Sequence, residues 1–381
     1  MFKQPFVTVE DARRAAKCRL PAMVFDYIDG AAGEGLAEER NRRELAQLML
    51  RSRVLQNVEK RSVAGRLFGA ATKLPFGIAP MGMCNLSGPG TDIHLAQFAA
   101  QNHVPVAVST AASTPLEKMI EAAEGNAWFQ LYYTADQSAA EHLLSRAETA
   151  GYDVLVLTVD VPEVGKRPRE LRHGFKMPFK IGPRQFLDFA MHPKWSVSTL
   201  LYGAPSLANF DGSQASFDRS ASRAGADWTY LKQLRQRWKG KLVIKGVLDV
   251  EDALRLKGEG VDAIQVSSHG GRQLDSAIPP ILALKAIREA LGEEFTLFYD
   301  SGIRTGEDIV KAYAMGADFV FLGRPFQMAI AGYGAGGAQK LGTLLGDEVS
   351  QTLAMLGITS IDQISNGMIS ERSCVMHQVG S

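Results

Sequence analysis

Apolar and polar positions divide this chain into two regimes. Thr8 to Lys17 reads as a helix, with Thr8 as its N-cap and Asp11 three residues on, and LPAMVFDYIDGAAGEG then turns at its glycines. From Leu74 the rhythm changes to short β-rich apolar runs alternating with longer segments of helical spacing. The runs cover 76–80, 104–109, 127–132, 153–160, 241–245, 262–268, 295–300 and 318–323, giving eight predicted strands. Several are apolar almost continuously, as parallel strands covered on both faces must be, and the stretches between them are long enough for crossover helices.

Gly151-Tyr152-Asp153, Gly260-Val261-Asp262 and Gly316-Ala317-Asp318 each introduce a strand after a helical pattern, so the glycine suits a left-handed position past a helix end. Repeated αβ units with no second strand-rich region predict a (β/α)8 TIM barrel, an α/β fold that satisfies every strand edge by closure. A doubly wound open sheet is the alternative. The first run is followed by APMGMCNLSGPG, not by a GxGxxG turn opening a helix, which disfavours it. The expected organisation is an N-terminal helical leader over 1–73 packing on the barrel, the barrel over 74–370, and a C-terminal tail over 371–381. Between Asp160 and Lys245 the chain travels 85 residues, roughly sixty more than one unit needs, so an insertion is expected at about 162–227. A lid, a binding surface or a disordered segment would each fit that length.

Charge and cysteine content narrow the function. Across 381 residues, 42 Lys and Arg face 41 Asp and Glu, a formal charge of +1 that argues against a nucleic-acid or general polyanion binder. Cys18, Cys84 and Cys374 have neither CxxC nor Cys/His ligand spacing, so no disulfide framework and no metal site is expected, and a reducing, cytoplasmic setting fits. The start has no signal-peptide pattern and no run of ~20 apolar residues occurs, which disfavours secretion and membrane spanning.

Active sites of such barrels lie at the carboxyl ends of the strands, and those ends carry Ser109, Gln130 with Tyr132, Thr158 with Asp160, Lys245, Ser267 with His269, and Asp300. In SSHGGRQLD, His269 can exchange a proton near neutral pH and Arg272 can hold a carboxylate by two parallel hydrogen bonds. The two glycines between them are expected to let the backbone approach a ligand. Asp160 needs a cationic partner to sit at a buried strand end, or else it is a loop or capping aspartate. Lys245 is a Schiff-base nucleophile, a fixed cation beside an anion, or a structural lysine. DSGIRTGED (300–308) and LGRP (322–325) follow the seventh and eighth runs, where barrels build phosphate sites, and Gly302, Gly306 and Gly323 are expected to leave room for the phosphate beside Arg304 and Arg324.

With LTVD, IKG, SHGGRQLD, DSGIR and LGRP in order, the chain resembles the FMN-dependent L-2-hydroxy acid oxidases and dehydrogenases, which include lactate-, glycolate- and mandelate-oxidising enzymes. The resemblance runs from LPAMVFDY to about residue 370. It implies FMN against the backbone of Ala79, Pro80, Met81 and Gly82, with Ser109, Gln130, Thr158 and Ser267 around the ring system and Lys245 at its N1 and C2 carbonyl edge. It implies a ribityl phosphate held by Asp300, Ser301, Gly302, Ile303, Arg304, Gly323 and Arg324. Arg272 and Arg167 would hold the substrate carboxylate with Tyr27 and Tyr132, His269 would be the base, and Asp160 would stabilise its protonated form. Removal of the α-proton and removal of the hydroxyl proton with hydride transfer need the same constellation. Two departures stand out: the family's SNHG reads Ser267-Ser268-His269-Gly270, and Ala111 stands where several small-substrate oxidases place a tryptophan, which predicts a roomier pocket.

From Glu163 to Arg184 the insertion holds seven Lys or Arg (166, 167, 169, 172, 176, 180 and 184) against two Glu, and it continues into Phe186, Leu187, Phe189, Met191 and Trp195. Basic charge beside apolar anchors suits a membrane surface, so 163–195 is expected to attach the protein to the inner face of the cytoplasmic membrane, with a lid or an oligomer contact as the alternatives. The expected activity is oxidation of L-lactate or of a larger or aromatic acid such as mandelate, with electrons passed to an external quinone, cytochrome or oxygen. The resemblance also implies a homotetramer. A flavin-free Schiff-base lyase using Lys245 and a non-catalytic flavin-binding scaffold are the competing classes.

Overall fold

The computed structural model describes residues 5–175, 179, 181–210 and 222–370. Eight parallel strands close into a barrel: β1 (Phe76–Met81), β2 (Val106–Ser109), β3 (Ala127–Tyr132), β4 (Val154–Thr158), β5 (Lys241–Val247), β6 (Ala263–Val266), β7 (Thr296–Asp300) and β8 (Phe319–Leu322). Each predicted run contains or overlaps one of them. β5 continues two residues past Lys245, and its pairing with β6 shifts register between Lys245 and Val247. Gly246 makes that shift possible with φ +104°, and a Cβ there would lie 2.5 Å from Asp160 Cβ.

Alternation along the strands fills the barrel. Trp128, Phe298 and Phe321 meet inside it with ring centroids 5.2 to 5.6 Å apart. Below them a hairpin, Gly65–Leu67 and Ala70–Thr72, brings Phe68 to 5.5 Å from Phe298. Truncating such a packed ring to alanine costs about 3–5 kcal/mol. Two residues along from Trp128 and Phe298, on the same faces, stand Gln130 and Asp300, so the apolar layer gives way to a polar one toward the carboxyl ends.

The three expected αβ turns form as read. Gly151, Gly260 and Gly316 have φ of +92°, +75° and +105°. Asp262 and Asp318 then accept the backbone N–H groups of Leu242 and Leu297, at 2.9 and 2.7 Å, pinning each turn to the start of the neighbouring strand. In the leader, Thr8 and Asp11 form a capping box on helix Val9–Arg19. Ala12 and Ala16 of that helix are fully buried. The helix approaches helix Arg324–Tyr333 so closely that a Cβ on Gly332 would lie 2.8 Å from Ala15 Cβ. Helices Ala22–Asp29 and Leu36–Gln47 then reach the barrel mouth, and Met49–Leu50 pairs with Ile369–Ser370. The tail expected over 371–381 lies outside the described residues, as do Lys176 and Lys180.

The insertion contains helices Pro168–Arg172, Pro183–Met191 and Pro193–Tyr202, and it ends where Asp227 caps the crossover helix Trp228–Arg237. Its first part lines the mouth and its second part docks on the leader and the first loop. The backbone N–H of Ala22 donates to Asp188 (2.9 Å), and Trp195 Nε1 donates to the Leu86 carbonyl (2.7 Å). Two expected anchors are therefore corrected. Trp195 is buried, and Phe189 packs against it at 5.3 Å, because an indole N–H finds a carbonyl partner inward. Phe186, Leu187 and Met191 are exposed as expected, and Ile181, Val197, Leu200, Leu201 and Tyr202 are exposed beside them, which extends the patch past residue 195.

Candidate active site

A cavity open at its mouth lies at the carboxyl ends of the strands. Tyr27, Ala79, Pro80, Met81, Gly82, Ser109, Ala111, Tyr132, Arg167, Lys245, His269, Arg272, Asp300, Ser301, Gly302, Ile303, Arg304, Gly323 and Arg324 all line it. Gln130, Thr158, Asp160 and Ser267 do not line it but are hydrogen-bonded to lining residues or to one another. Gln130 joins three neighbouring strands, accepting from Ser109 Oγ and donating to Thr158 Oγ1, each at 3.0 Å. The Tyr27 hydroxyl donates to the Gly82 carbonyl at 3.2 Å, while its ring stacks on Phe175 at 4.5 Å.

His269 Nδ1 lies 3.0 Å from Asp160 Oδ1. Burial, then the positive charges of Lys245 and Arg167, outweigh the pull of Asp160 and hold the imidazole pKa below its usual value, so the ring is neutral at pH 7. Asp160 is the converse case: burial disfavours its charge, yet His269 and Lys245 keep its pKa below the usual carboxylate range. Asp160 Oδ2 is buried and receives no hydrogen bond from the described residues.

Lys245 Nζ donates to Ser267 Oγ at 2.9 Å and lies 3.3 Å from Asp300 Oδ2. Burial opposes its charge, but Asp300 and Asp160 overcome that and raise its pKa. A Schiff-base lysine must be neutral to attack, so this environment selects the fixed-cation reading. Asp300 also accepts from Ser267, Ser301 and Gln265, at 2.6, 2.7 and 2.5 Å, a fully bonded anchor for the cation.

The loop glycines also meet the rest of the protein. Gly270 and Gly271 have φ of +64° and +74°, and a Cβ at each would lie 2.6 Å from Arg324 Nη1 and 2.5 Å from the Glu38 backbone nitrogen, while Gly270 lines the cavity as well. Gly306 likewise meets helix Gly337–Met355, and Gly302 meets Asn41 and Leu45. Gly323 lines the cavity too, with Met81 Sδ 3.3 Å from its absent Cβ. Ser268, the departure from SNHG, accepts from Asn41 Nδ2 at 2.8 Å.

Arg324 donates to the carbonyls of Ile28, Gly270 and Gly30, and Arg304 donates to Glu38 at 3.0 Å. Burial, followed by the charges of Arg272 and Arg304, pushes Arg324 down to about 9. Guanidinium groups crowded in this way are stabilised by an anion, and Arg304 with Arg324 fits a phosphate between the loops after β7 and β8. The donor set therefore fits the phosphate of FMN, and Lys245 fits the electron-accepting end of a flavin ring.

Residues that the sequence reading passed over complete the wall. Glu170, counted there only as a charge, accepts from Arg272 Nη2 at 2.8 Å and lies 3.6 Å from Arg167 Nη1, bringing the two arginines together. Arg272 Nη1 is further fixed by the carbonyls of Tyr27 and Gly30. The order R-P-R-E at one helical turn was a signal that Arg167 and Glu170 share a face. Val161, Val164 and Arg223 also line the cavity, and no local motif marks them.

A closed α/β barrel whose mouth combines a histidine–aspartate pair, a fixed lysine and a two-arginine anion site defines a flavin-type oxidoreductase. The chain belongs to the FMN-dependent dehydrogenase family, whose model matches residues 16–371, and its cofactor is FMN. It is 36% identical to an (S)-mandelate dehydrogenase of Pseudomonas putida over 100% of this chain and 99% of that one. It is 37% identical to an L-lactate dehydrogenase of Xanthomonas campestris pv. campestris over 94% and 96% of the two chains. A crystal structure described as the monotopic membrane protein (S)-mandelate dehydrogenase superposes with a TM-score of 0.91 at 35% identity, covering 96% of this chain and all of that one. A mandelate oxidase structure superposes at 0.81 and 33% identity, over 94% and 96% of the two chains.

Proposed function

We propose that this protein oxidises an L-2-hydroxy acid to the 2-oxo acid and passes the electrons to a quinone. The observation that carries the reading is the His269–Asp160 pair, at 3.0 Å, on one cavity with Arg167, Arg272 and Lys245. Bound FMN supplies the two-electron acceptor. The chain supplies the rest. Arg272 and Arg167 bind the carboxylate, with the hydroxyls of Tyr27 and Tyr132 beside them. Asp160 engages Nδ1 of His269, so Nε2 is the atom left to take the substrate proton, and the carboxylate stabilises the imidazolium that results. Lys245, held charged by Asp300, favours negative charge on the acceptor. Ser109, Gln130, Thr158 and Ser267 orient the ring, the backbone of residues 79–82 lies against it, and Ser301, Ile303, Arg304 and Arg324 surround the phosphate. The small Ala111 leaves room for a side chain larger than the methyl of lactate.

Anaerobic bleaching of the holoenzyme flavin by L-lactate, L-mandelate, glycolate and longer 2-hydroxy acids tests the reaction, and silence toward all of them would sink it. Reoxidation by a quinone analogue rather than by air identifies the acceptor; rapid reoxidation by air would make the protein an oxidase.

The proposal extends to the setting. Among the described residues no helix is long and apolar enough to cross a membrane. The exposed patch over 181–202, with Leu200, Leu201 and Tyr202 more than seven-tenths exposed, suits a monotopic contact beside the exposed Arg172, Arg184 and Lys194. We place that contact on the cytoplasmic membrane's inner face and the assembly as a homotetramer. Replacing Leu200, Leu201 and Tyr202 by serine shifts the protein to the soluble fraction; an unchanged partition refutes the contact.

A further inference from the structure

Asp300 anchors Lys245, but the oxygen that faces the lysine has a second claimant. Asp300 Oδ1 accepts from Ser267 and Ser301. Its Oδ2, 3.3 Å from Lys245 Nζ, accepts from Gln265 Nε2 at 2.5 Å. Gln265 is 1% exposed and stands on β6, in register with Lys245 of β5 and with Phe298 of β7. Registered neighbours on adjacent strands share a face, so its side chain lies inside the barrel beside the Phe298 layer. An amide buried there costs free energy unless it is hydrogen-bonded, and the bond to Asp300 supplies that partner. Lys245 in turn makes its shorter contact, at 2.9 Å, with the neutral hydroxyl of Ser267, and it lines the cavity, whereas Gln265 does not. Set beside an oxygen already engaged by an amide donor, the ammonium is anchored without being fully paired.

We propose that Gln265 is a positioning residue: by occupying the Asp300 oxygen next to Lys245, it keeps the lysine's charge directed at the flavin ring and raises the reduction potential of bound FMN. The inference rests on the reading that Lys245 faces the ring, and adds to it a residue that touches neither cofactor nor substrate. Two effects act in the same direction. The positive end of the amide dipole points at the carboxylate and offsets part of its negative charge. Without that donor, the freed lone pairs draw the ammonium toward Asp300 and away from the ring. Either change makes electron acceptance by the ring less favourable. Ser267, Ser301 and Lys245 still hold the carboxylate, so the change is one of degree.

The test is the two-electron midpoint of the FMN holoenzyme, measured anaerobically against a reference dye at fixed pH. Gln265→Met keeps the side-chain length and removes the donor; Gln265→Asn keeps an amide but draws it back by one methylene. In each, the equilibrium between oxidised and reduced flavin moves about tenfold toward the oxidised form, a midpoint about 30 mV lower for a two-electron couple. Flavin reduction by substrate slows with it, while the KM for the acid, set by the arginines, holds. Lys245→Met is the reference and lowers the midpoint further. If it does so while both Gln265 variants stay within about twofold of wild type, or ~10 mV, this inference fails alone. An unchanged midpoint in Lys245→Met instead sinks the reading beneath it. A raised midpoint in flavin-loaded Gln265→Met overturns the proposal, and so does loss of FMN from both Gln265 variants, which would make the residue one that only holds the fold.

Discussion

Asp160→Asn isolates the charge behind the base while keeping its shape. At the 3.0 Å separation of Asp160 and His269, an effective dielectric of ~20 gives a pair energy of about 5.5 kcal/mol when both are ionised. Asparagine retains a dipole and a hydrogen bond at Nδ1, so about half of that is lost, roughly 2–3 kcal/mol, or a rate ~30- to 150-fold lower. The loss falls on the step that creates imidazolium, so flavin reduction slows while FMN content holds. The base acts as neutral imidazole and loses activity as pH falls through its pKa. Burial, Lys245 and Arg167 lower that pKa and Asp160 opposes them. The acid limb of kcat/KM in the wild type therefore lies below the ordinary ~6.5, and removing the carboxylate moves it lower still. Stopped-flow bleaching from acid to neutral pH reads both quantities. A wild-type rate, or an acid limb displaced upward, refutes the pairing argument.

His269→Gln keeps its flavin and loses nearly all reduction by substrate; full anaerobic bleaching at the wild-type rate would remove the histidine from the base role. Arg324→Met removes a phosphate donor and weakens FMN binding by about 10- to 100-fold, read as free flavin separated on gel filtration, and undiminished retention contradicts the assignment. Burial opposes the charge of Asp29, but Arg13 and Arg169 bring its pKa down to about 2. A depressed folded-state pKa stabilises above the unfolded value and ceases to do so as pH falls toward 2. Asp29→Asn therefore costs about 2 kcal/mol at pH 7 in urea unfolding, and the deficit shrinks below about pH 4; a constant deficit contradicts it.

Strand number, closure and the loops that carry the chemistry were determined by the sequence itself, because period, turn glycines and strand-end polarity act over a few residues. His269 and Arg272 share one loop, and Asp300 to Arg304 another, so their proximity is local. What only the tertiary structure decided spans the chain. Asp160 reaches His269 across 109 residues, and Glu170 draws together Arg167 from its own turn and Arg272 from beyond β6. Gly271 and Gly306 meet Glu38 and the helix Gly337–Met355, and Gly302 meets Asn41 and Leu45, contacts that no local pattern announced. Trp195 looked like an anchor and turned inward because the Leu86 carbonyl was there to receive it. Arg223 carried no signal, since a lone arginine in a long insertion acquires meaning only from the wall it is folded into. Local pattern fixes which face a residue takes on its own element; which partners meet that face is settled by packing between elements far apart in the chain.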